Sequence, residues 1–446
     1  MKDIIIVGAG PSGLVALKEM REAGHNAMIF ERSKSLGGVF ASPLIYPDLH
    51  LTISNRFMAF SDFPDPTRMH YSSAEEYLQY LHDYARHFDL EKYISQMFRY
   101  LDIGGSRRSD RGYGRQSIAE SGHSGAPGFD GRVIHSSQYG EDFKQYVAKT
   151  KARVLVVGAG ESGADVSAEL AELSPNVTVW LRRPPCIASR YMDHSASEME
   201  QVLLNKTQSV PISRFLEVNT ANYIGSGLNV FLYGMFREFI FRLPGLNKVM
   251  TRFDLAHWAS ASGRADQATY AAKNMRTCEA VTEDKLTFVV NAHTSASGRT
   301  CTFGLEQKDD ASSREFDAVV LCTGFRAAFP WLRLPENTPL VNNPRTWFLH
   351  CFPEGLGHCL FFLGYARPAQ GGIPPVAEML CRFIAMMLRG KVALPPDYAH
   401  LARRDMLAER EYYSVSPDLH TLVDYNAMME SVARRIGFLL ASGKLQ

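Results

Sequence analysis

The run Gly8-Ala9-Gly10-Pro11-Ser12-Gly13 recurs 150 residues later as Gly158-Ala159-Gly160-Glu161-Ser162-Gly163. Each copy follows an apolar tetrapeptide, Ile4-Ile5-Ile6-Val7 and Val154-Leu155-Val156-Val157 respectively, and each opens a helical pattern. Strand, glycine turn, helix is the context that a dinucleotide pyrophosphate needs. The glycines permit a tight turn and close backbone approach, and the helix N-terminus offers free N–H groups and a positive dipole end to phosphate. Two such sites in one chain imply two dinucleotides and a route for electrons between them. The expected fold is α/β, with two nested Rossmann-like dinucleotide-binding domains.

The residue that ends each second strand distinguishes the two sites. After the first turn, the helix Leu14–Ala23 stops at Gly24, and the strand Ala27-Met28-Ile29-Phe30 runs into Glu31-Arg32, with Glu31 placed 18 residues beyond Gly13. An acid there accepts hydrogen bonds from ribose hydroxyls and repels a 2′-phosphate. After the second turn, Val177-Thr178-Val179-Trp180-Leu181 runs into Arg182-Arg183, with Arg182 placed 19 residues beyond Gly163. Two guanidiniums suit a 2′-phosphate, which they grip in bidentate fashion. The reading is FAD, or NAD, at the first site and NADPH at the second.

The order of elements is interleaved. Residues 1–148 open the FAD-binding domain, 149–312 form the NADPH-binding domain, and 313–446 return to complete the first sheet and add C-terminal helices. The sign of return is Phe316–Phe325, a buried strand ending in Thr323-Gly324, a turn whose backbone can press on a flavin or its pyrophosphate. Leu360–Gly364 reads as a further buried strand. A helix then runs over Val376–Leu388, started by Pro374-Pro375 and capped by Gly390; proline suits a first turn because its missing N–H is not needed there.

Composition narrows the function classes. The 48 basic and 47 acidic side chains are balanced, so no polyanion or nucleic acid is implied as a partner. Seven scattered cysteines without a CxxC pair argue for a reducing compartment and against structural zinc or a redox disulfide. The first strand starts by residue 4, so a cytoplasmic location is expected, with no secretory leader. None of the 14 histidines has metal-ligand spacing, and no metal is expected. The Leu228–Leu243 run carries Arg237, Glu238 and Arg242 and is too short and charged to span a bilayer. It reads as a helix over the active site, with peripheral membrane contact as the alternative, and the aromatic stretch Tyr223–Phe241 as a pocket wall or core.

With these residues in view, the chain resembles the flavin-containing monooxygenases, class B flavoprotein oxygenases of the dimethylaniline N-oxide-forming type. Gly8–Leu14 is similar to the family's FAD fingerprint. Glu31-Arg32 and Leu36-Gly37-Gly38-Val39-Phe40 resemble its acid-arginine and GG elements, and Phe60-Ser61-Asp62-Phe63-Pro64 its FSDFP stretch. Phe129–Tyr139 matches FxGxxxHSxxY, the form found in N- and S-oxygenating members. Baeyer–Villiger relatives usually carry Thr and Trp where Ser136 and Tyr139 stand. Leu51–Asn55 and Asp424-Tyr425-Asn426 resemble fungal secondary-metabolism members.

The resemblance implies an NADPH- and O2-dependent oxidoreductase. Its reduced flavin forms a C4a-hydroperoxide that oxygenates the nitrogen or sulfur of a small molecule, or a secondary-metabolite intermediate. Such chemistry needs a dry, preorganised pocket and no side-chain nucleophile. The cofactor residues carried over are Gly8, Gly10, Pro11, Ser12, Gly13, Glu31, Arg32, Gly38, Val39, Gly158, Gly160, Ser162, Gly163, Arg182, Arg183, Thr323 and Gly324. His135 is assigned positioning.

Three departures stand out. The family's active-site asparagine falls at Thr52, so the catalytic polar group is read as Thr52 or the nearby Asn55. Phe40 replaces a tryptophan. Gly104–Gly128 is basic and glycine-rich with no strand pattern, where the family has a β-meander and an FAD-contacting strand. The alternatives are Baeyer–Villiger oxygenation of a ketone, or a degenerate paralogue with weakened FAD binding.

Overall fold

The computed structural model describes residues 1–42, 45, 49–51, 53–67, 70–96, 116–119, 128–182, 187–188, 272–274, 276–291, 293–304, 311–329, 332, 334, 340–368, 371–412, 420–423 and 425–437. It divides into two compact units. One holds the described residues of Met1–Gln116 and Ala327–Gln446, the other those of Ser117–Ser213 and Gly225–Arg326. The first unit is thus interrupted in sequence by the second.

In the first unit, Asp3–Val7, Asn26–Phe30 and Ile94–Ser95 form a parallel sheet in that order. The helix Pro11–Glu22 joins the first two strands and ends as the sequence predicts. Gly24 adopts φ +81°, its N–H reaches Arg21 O, and His25 N–H reaches Met20 O, the paired bonds of a glycine-terminated helix. Leu14, Leu17, Ala27 and Ile29 are fully buried in the unit's core. The apolar run 4–7 is covered on one face only: Ile4 and Ile6 pack on the core, whereas Ile5 is 63 % and Val7 45 % exposed.

In the second unit, five parallel strands lie in the order Leu286–Val290, Val177–Leu181, Val154–Val157, Ala318–Leu321, Arg132–His135. Val154–Val157 is buried at every position, as expected of a parallel strand covered on both faces. Val154, Val156, Val177, Val179 and Val320 pack with the helical residues Phe143, Val147, Val166 and Leu170. On the other face Leu155, Val157, Val319 and Leu321 pack on Cys301, Phe303 and Phe316, supplied by the antiparallel strands Thr294–Ser297, Thr300–Phe303 and Ser312–Glu315 and their flank.

This pairing corrects the expected return to the first sheet. Ala318–Leu321 sits between Val154–Val157 and Arg132–His135, in register with both. An all-apolar strand shows that both faces are buried, but not in which sheet. Leu360–Gly364 is likewise no strand. Its side chains alternate between two clusters, Phe361 and Leu363 on the main core, Leu360 and Phe362 with Trp347 and Tyr365. A strand, Gln116–Ala119, occurs inside the stretch where none was expected. The Leu228–Leu243 run and the Tyr223–Phe241 aromatics lie outside the described residues. The helix Ile373–Leu388 forms as read, with proline in its first turn and Gly390 at φ +70° beyond its end. Among the described residues, no helix is long and apolar enough to cross a membrane.

Candidate dinucleotide sites

The two glycine turns adopt the same backbone. Gly8 and Gly158 both have φ +100°, and each N–H continues the parallel ladder, to Phe30 O at 2.9 Å and Trp180 O at 3.0 Å. A Cβ on Gly13 would lie 1.9 Å from Gly8 O, and one on Gly163 2.1 Å from Gly158 O. The third glycine therefore lets the helix close on its own strand. Gly10 and Gly160 cap the helices Pro11–Glu22 and Glu161–Leu173, with no side chain taking the free N–H groups. Backbone donors and dipole are left for an anion, and both sites fit a dinucleotide pyrophosphate.

Around the first turn, Glu31 is buried and accepts from Ala9 N–H at 2.6 Å through Oε2 and from Ser33 N–H at 2.8 Å through Oε1. The acid is thus tied to the glycine turn itself, while each oxygen keeps a lone pair for a ribose hydroxyl. Gly38 abuts the turn: a Cβ there would lie 3.0 Å from Gly10 Cα, and its φ is +61°. Gly37 N–H donates to Ala9 O at 2.9 Å. Pro11 opens the helix, and Ser12 Oγ would lie 2.8 Å from a Cβ on Gly364. Val39 is 67 % exposed, and Arg32 is exposed.

In the second unit every functional candidate follows the carboxyl end of a parallel strand, where ligands of open α/β sheets bind. Gly158 follows Val157, Arg182 follows Leu181, and Cys322-Thr323-Gly324 follows Leu321. Thr323-Gly324 therefore follows a strand beside the second glycine turn; Cys322 O would lie 2.7 Å from a Cβ on Gly158. Gly160, Ser162, Arg182 and Gly324 are exposed. Arg183 lies outside the described residues. Burial raises the Cys322 thiol to about 12, so it stays protonated.

His135 ends the edge strand with its ring fully engaged. Ser137 N–H donates to Nδ1 at 3.1 Å, and Nε2 lies 3.1 Å from Gly324 O. One nitrogen must accept and the other donate, so the ring is the neutral Nε2–H tautomer. Burial lowers its pKa, against a smaller raising effect of the Gly324 bond. The ring positions the Thr323-Gly324 turn.

The two candidates for the catalytic polar group part company. Thr52 lies outside the described residues. Asn55 is 2 % exposed; its Nδ2 donates to Asp65 Oδ2 at 3.1 Å and Thr67 Oγ1 at 3.0 Å, and its Oδ1 accepts from Ser72 N–H at 3.2 Å. Both amide protons are spent on Asp65 and Thr67, and the amide oxygen on Ser72.

Sequence reading missed what the FSDFP stretch does. Ser61 donates to Glu378 through N–H at 3.0 Å and Oγ at 2.6 Å, and Arg382 reaches Ser61 Oγ at 2.9 Å and Glu378 Oε1 at 2.6 Å. Asp62 pairs with Lys18, which also meets Glu22 at 2.8 Å and Glu19 at 3.3 Å. Glu19, Asp62 and Glu378 converge closely enough to suggest a cation site, but Lys18 and Arg382 already neutralise them. The cluster ties the nucleotide helix Pro11–Glu22 to the helix Ile373–Leu388. The i, i+4 pairs Lys18/Glu22 and Glu378/Arg382 were readable signals; their joining across more than 300 residues was not.

Comparison with known proteins agrees with this geometry. The model of the flavin-binding monooxygenase-like family matches residues 1–116 and 112–229. A 4-hydroxybenzoate brominase (decarboxylating) of Marinomonas mediterranea is 32 % identical, covering 98 % of this chain and 84 % of that protein. Flavin-containing monooxygenase 5 of Oryctolagus cuniculus is 25 % identical, covering 98 % and 83 %. Among solved structures, S-allyl-L-cysteine S-oxygenase of Allium sativum superposes with TM-score 0.55 at 17 % identity over 99 % of this chain and 90 % of that one. OTEMO in complex with FAD and NADP gives 0.59 at 15 % identity over 98 % of each.

Proposed function

The chain belongs to the flavin-binding monooxygenase-like family, and from that premise we propose that it uses NADPH, FAD and O2 to oxygenate a soft nucleophile of a small molecule. FAD is held by Gly8, Gly10, Pro11, Ser12, Gly13, Glu31, Arg32, Gly38 and Val39. NADPH is held by Gly158, Gly160, Ser162, Gly163, Arg182, Arg183, Thr323 and Gly324. When bound, the flavin passes reducing equivalents from the nicotinamide to dioxygen and so supplies an electrophilic oxygen. The protein's own residues bind, orient and exclude water. The observation that carries the reading is the opposed charge at two equivalent backbone positions. Buried Glu31 is hydrogen-bonded to the first glycine turn, and exposed Arg182 ends the strand beside the second. Thr52 is assigned as the polar group for the nicotinamide, and Asn55 as a positioning residue for Asp65, Thr67 and Ser72.

Purified protein that is yellow and consumes O2 with NADPH, releasing a sulfoxide or N-oxide from a thioether or amine, meets this reading. A colourless protein after flavin-replete expression overturns it. A second reading has specific support: the 32 % identity to a decarboxylating brominase over nearly the whole chain. Halide is itself a soft nucleophile, so the same oxygen donor can act on bromide. Brominated phenol and CO2 from 4-hydroxybenzoate plus bromide decides for it. Ser136 and Tyr139 weigh against ketone oxidation, which a ketone-versus-thioether competition tests.

A further inference from the structure

In the second unit the strand order fixes how a dinucleotide lies along the carboxyl edge of the sheet. Val154–Val157, which precedes the second glycine turn, has Val177–Leu181 on one side and Ala318–Leu321 on the other. The chain runs from Val154–Val157 outward through Val177–Leu181 to Leu286–Val290, then returns to the opposite side as Ala318–Leu321. The order therefore reverses beside the glycine turn, and a dinucleotide spans the crevice at such a point. With the pyrophosphate on the turn and the adenosine toward Arg182, the nicotinamide half falls over the ends of Ala318–Leu321 and Arg132–His135.

Phe325 stands at those ends. Cys322 N–H continues the ladder to Val157 O at 2.9 Å, and the chain turns at Gly324 with φ +91°. The Phe325 ring then meets the ring of buried His135 edge-on, with centroids 5.0 Å apart and planes at 82°. The same imidazole is bonded to Gly324 O, so one side chain holds both the turn and the phenyl ring. Phe325 is nevertheless 46 % exposed. A single exposed apolar side chain ordinarily needs no explanation. This one is braced, and braced at the edge where open α/β sheets take their ligands. The flanks of the turn also differ in kind. Arg182 on one side is exposed and cationic, whereas Phe325 on the other is exposed and aromatic. NADPH has the same asymmetry, with a 2′-phosphate at one end and a flat, uncharged ring at the other.

We infer that Phe325 is a cofactor-contacting residue whose exposed ring packs against the nicotinamide of NADPH. This rests on the NADPH reading above and names the residue that seats the hydride-bearing end. A phenyl ring suits both forms of the cofactor. The neutral dihydronicotinamide packs on it by offset or edge contact, and the cationic ring of NADP⁺ is drawn to its negative face. The seat therefore holds the ring before and after the hydride leaves.

The test is calorimetric titration of the flavin-loaded full chain with two ligands. NADP⁺ binds without turnover, and adenosine 2′,5′-bisphosphate keeps the adenosine and its phosphates but lacks the nicotinamide. Phe325→Ala should weaken NADP⁺ by about three- to tenfold, the loss of one aromatic contact, and leave the bisphosphate unchanged. Phe325→Leu, which keeps an apolar side chain against His135, should repeat the selective loss. Phe325→Tyr, which keeps the aromatic face, should bind both ligands as the wild type does. A variant that merely disturbed the fold would lose both ligands together, and thermal melts of each protein check for that. Unchanged NADP⁺ affinity in Phe325→Ala and Phe325→Leu, or an equal loss of both ligands in the two variants, overturns the contact alone. A wild type that binds neither ligand overturns the NADPH reading and the contact together.

Discussion

The imidazole of His135 spans two segments that lie 189 residues apart in sequence, its Nε2 donating to Gly324 O at 3.1 Å while Nδ1 accepts from Ser137 N–H two residues on. Both turns flank the carboxyl edge of the parallel sheet where the second glycine fingerprint lies. Protonating the ring would set an Nδ1–H against Ser137 N–H, so that bond belongs to the neutral form, whereas the Nε2–H bond to Gly324 O survives and Ser137 Oγ, 2.9 Å from Nδ1, is left to accept the new proton.

A pH dependence follows. Burial lowers the folded-state pKa of His135 below its ordinary value of 6.5, and that of His25 likewise. The unfolded chain therefore binds more protons, and stability is complete above about 6.5 and falls as pH drops from there through the folded values. Unfolding midpoints in urea measured from pH 8 to 5 should decline. In His135→Gln, whose amide can still donate to Gly324 O but does not titrate, the decline should be shallower, and the pH dependence of NADPH binding should shrink to that of the 2′-phosphate itself.

Gly160 and Gly163 separate ligand approach from packing. A methyl on Gly160 meets nothing within 4 Å, so Gly160→Ala should change stability by less than about 1 kcal/mol, yet weaken NADPH by about tenfold or more through the lost backbone approach. Gly163→Ala drives Cβ to within 2.1 Å of Gly158 O and should destabilise the fold itself. Thermal melts and fluorescence titration of NADPH resolve the two.

Arg182 is exposed, so its replacement spares the fold. Arg182→Ala should cut kcat/KM for NADPH roughly tenfold, the value of one charge-assisted hydrogen bond, and leave NADH unchanged. Paired steady-state assays with the two nucleotides check this, and an equal loss for both would remove Arg182 from the phosphate site.

Lys18 has only 7 % of its side chain exposed and pairs with Glu19, Glu22 and Asp62. Lys18→Met takes a partner from the buried carboxylate of Glu19 and from the exposed Asp62 and Glu22, and should cost about 3 kcal/mol. Chemical denaturation measures the loss. Flavin release should accompany it at moderate denaturant, because the helix Pro11–Glu22 that offers its N-terminus to the pyrophosphate is anchored there.

Some of this was legible because it is local. The glycine spacing, the apolar strand before it and the acid or arginine after the second strand lie within about 30 residues, the span of one βαβ unit. Their geometry follows from backbone sterics alone: Gly13 and Gly163 are forced by the atoms of their own turns. Helix ends at Gly24 and Gly390, and the proline start at Pro374-Pro375, are local in the same sense.

What the sequence by itself determined is a pair of nucleotide-binding βαβ units with opposite charge preference, since period, turn chemistry and a charge at a fixed offset need no distant partner. The tertiary structure alone decided which sheet receives Ala318–Leu321, where Thr323-Gly324 therefore lies, that Asn55 is consumed in a loop, and that Ser61 and Asp62 serve an ion cluster. Each of these depends on hydrogen bonds or ion pairs between residues far apart in the chain. An apolar strand fits any buried sheet, and a polar side chain any complementary partner, until packing brings one particular neighbour within 3 Å.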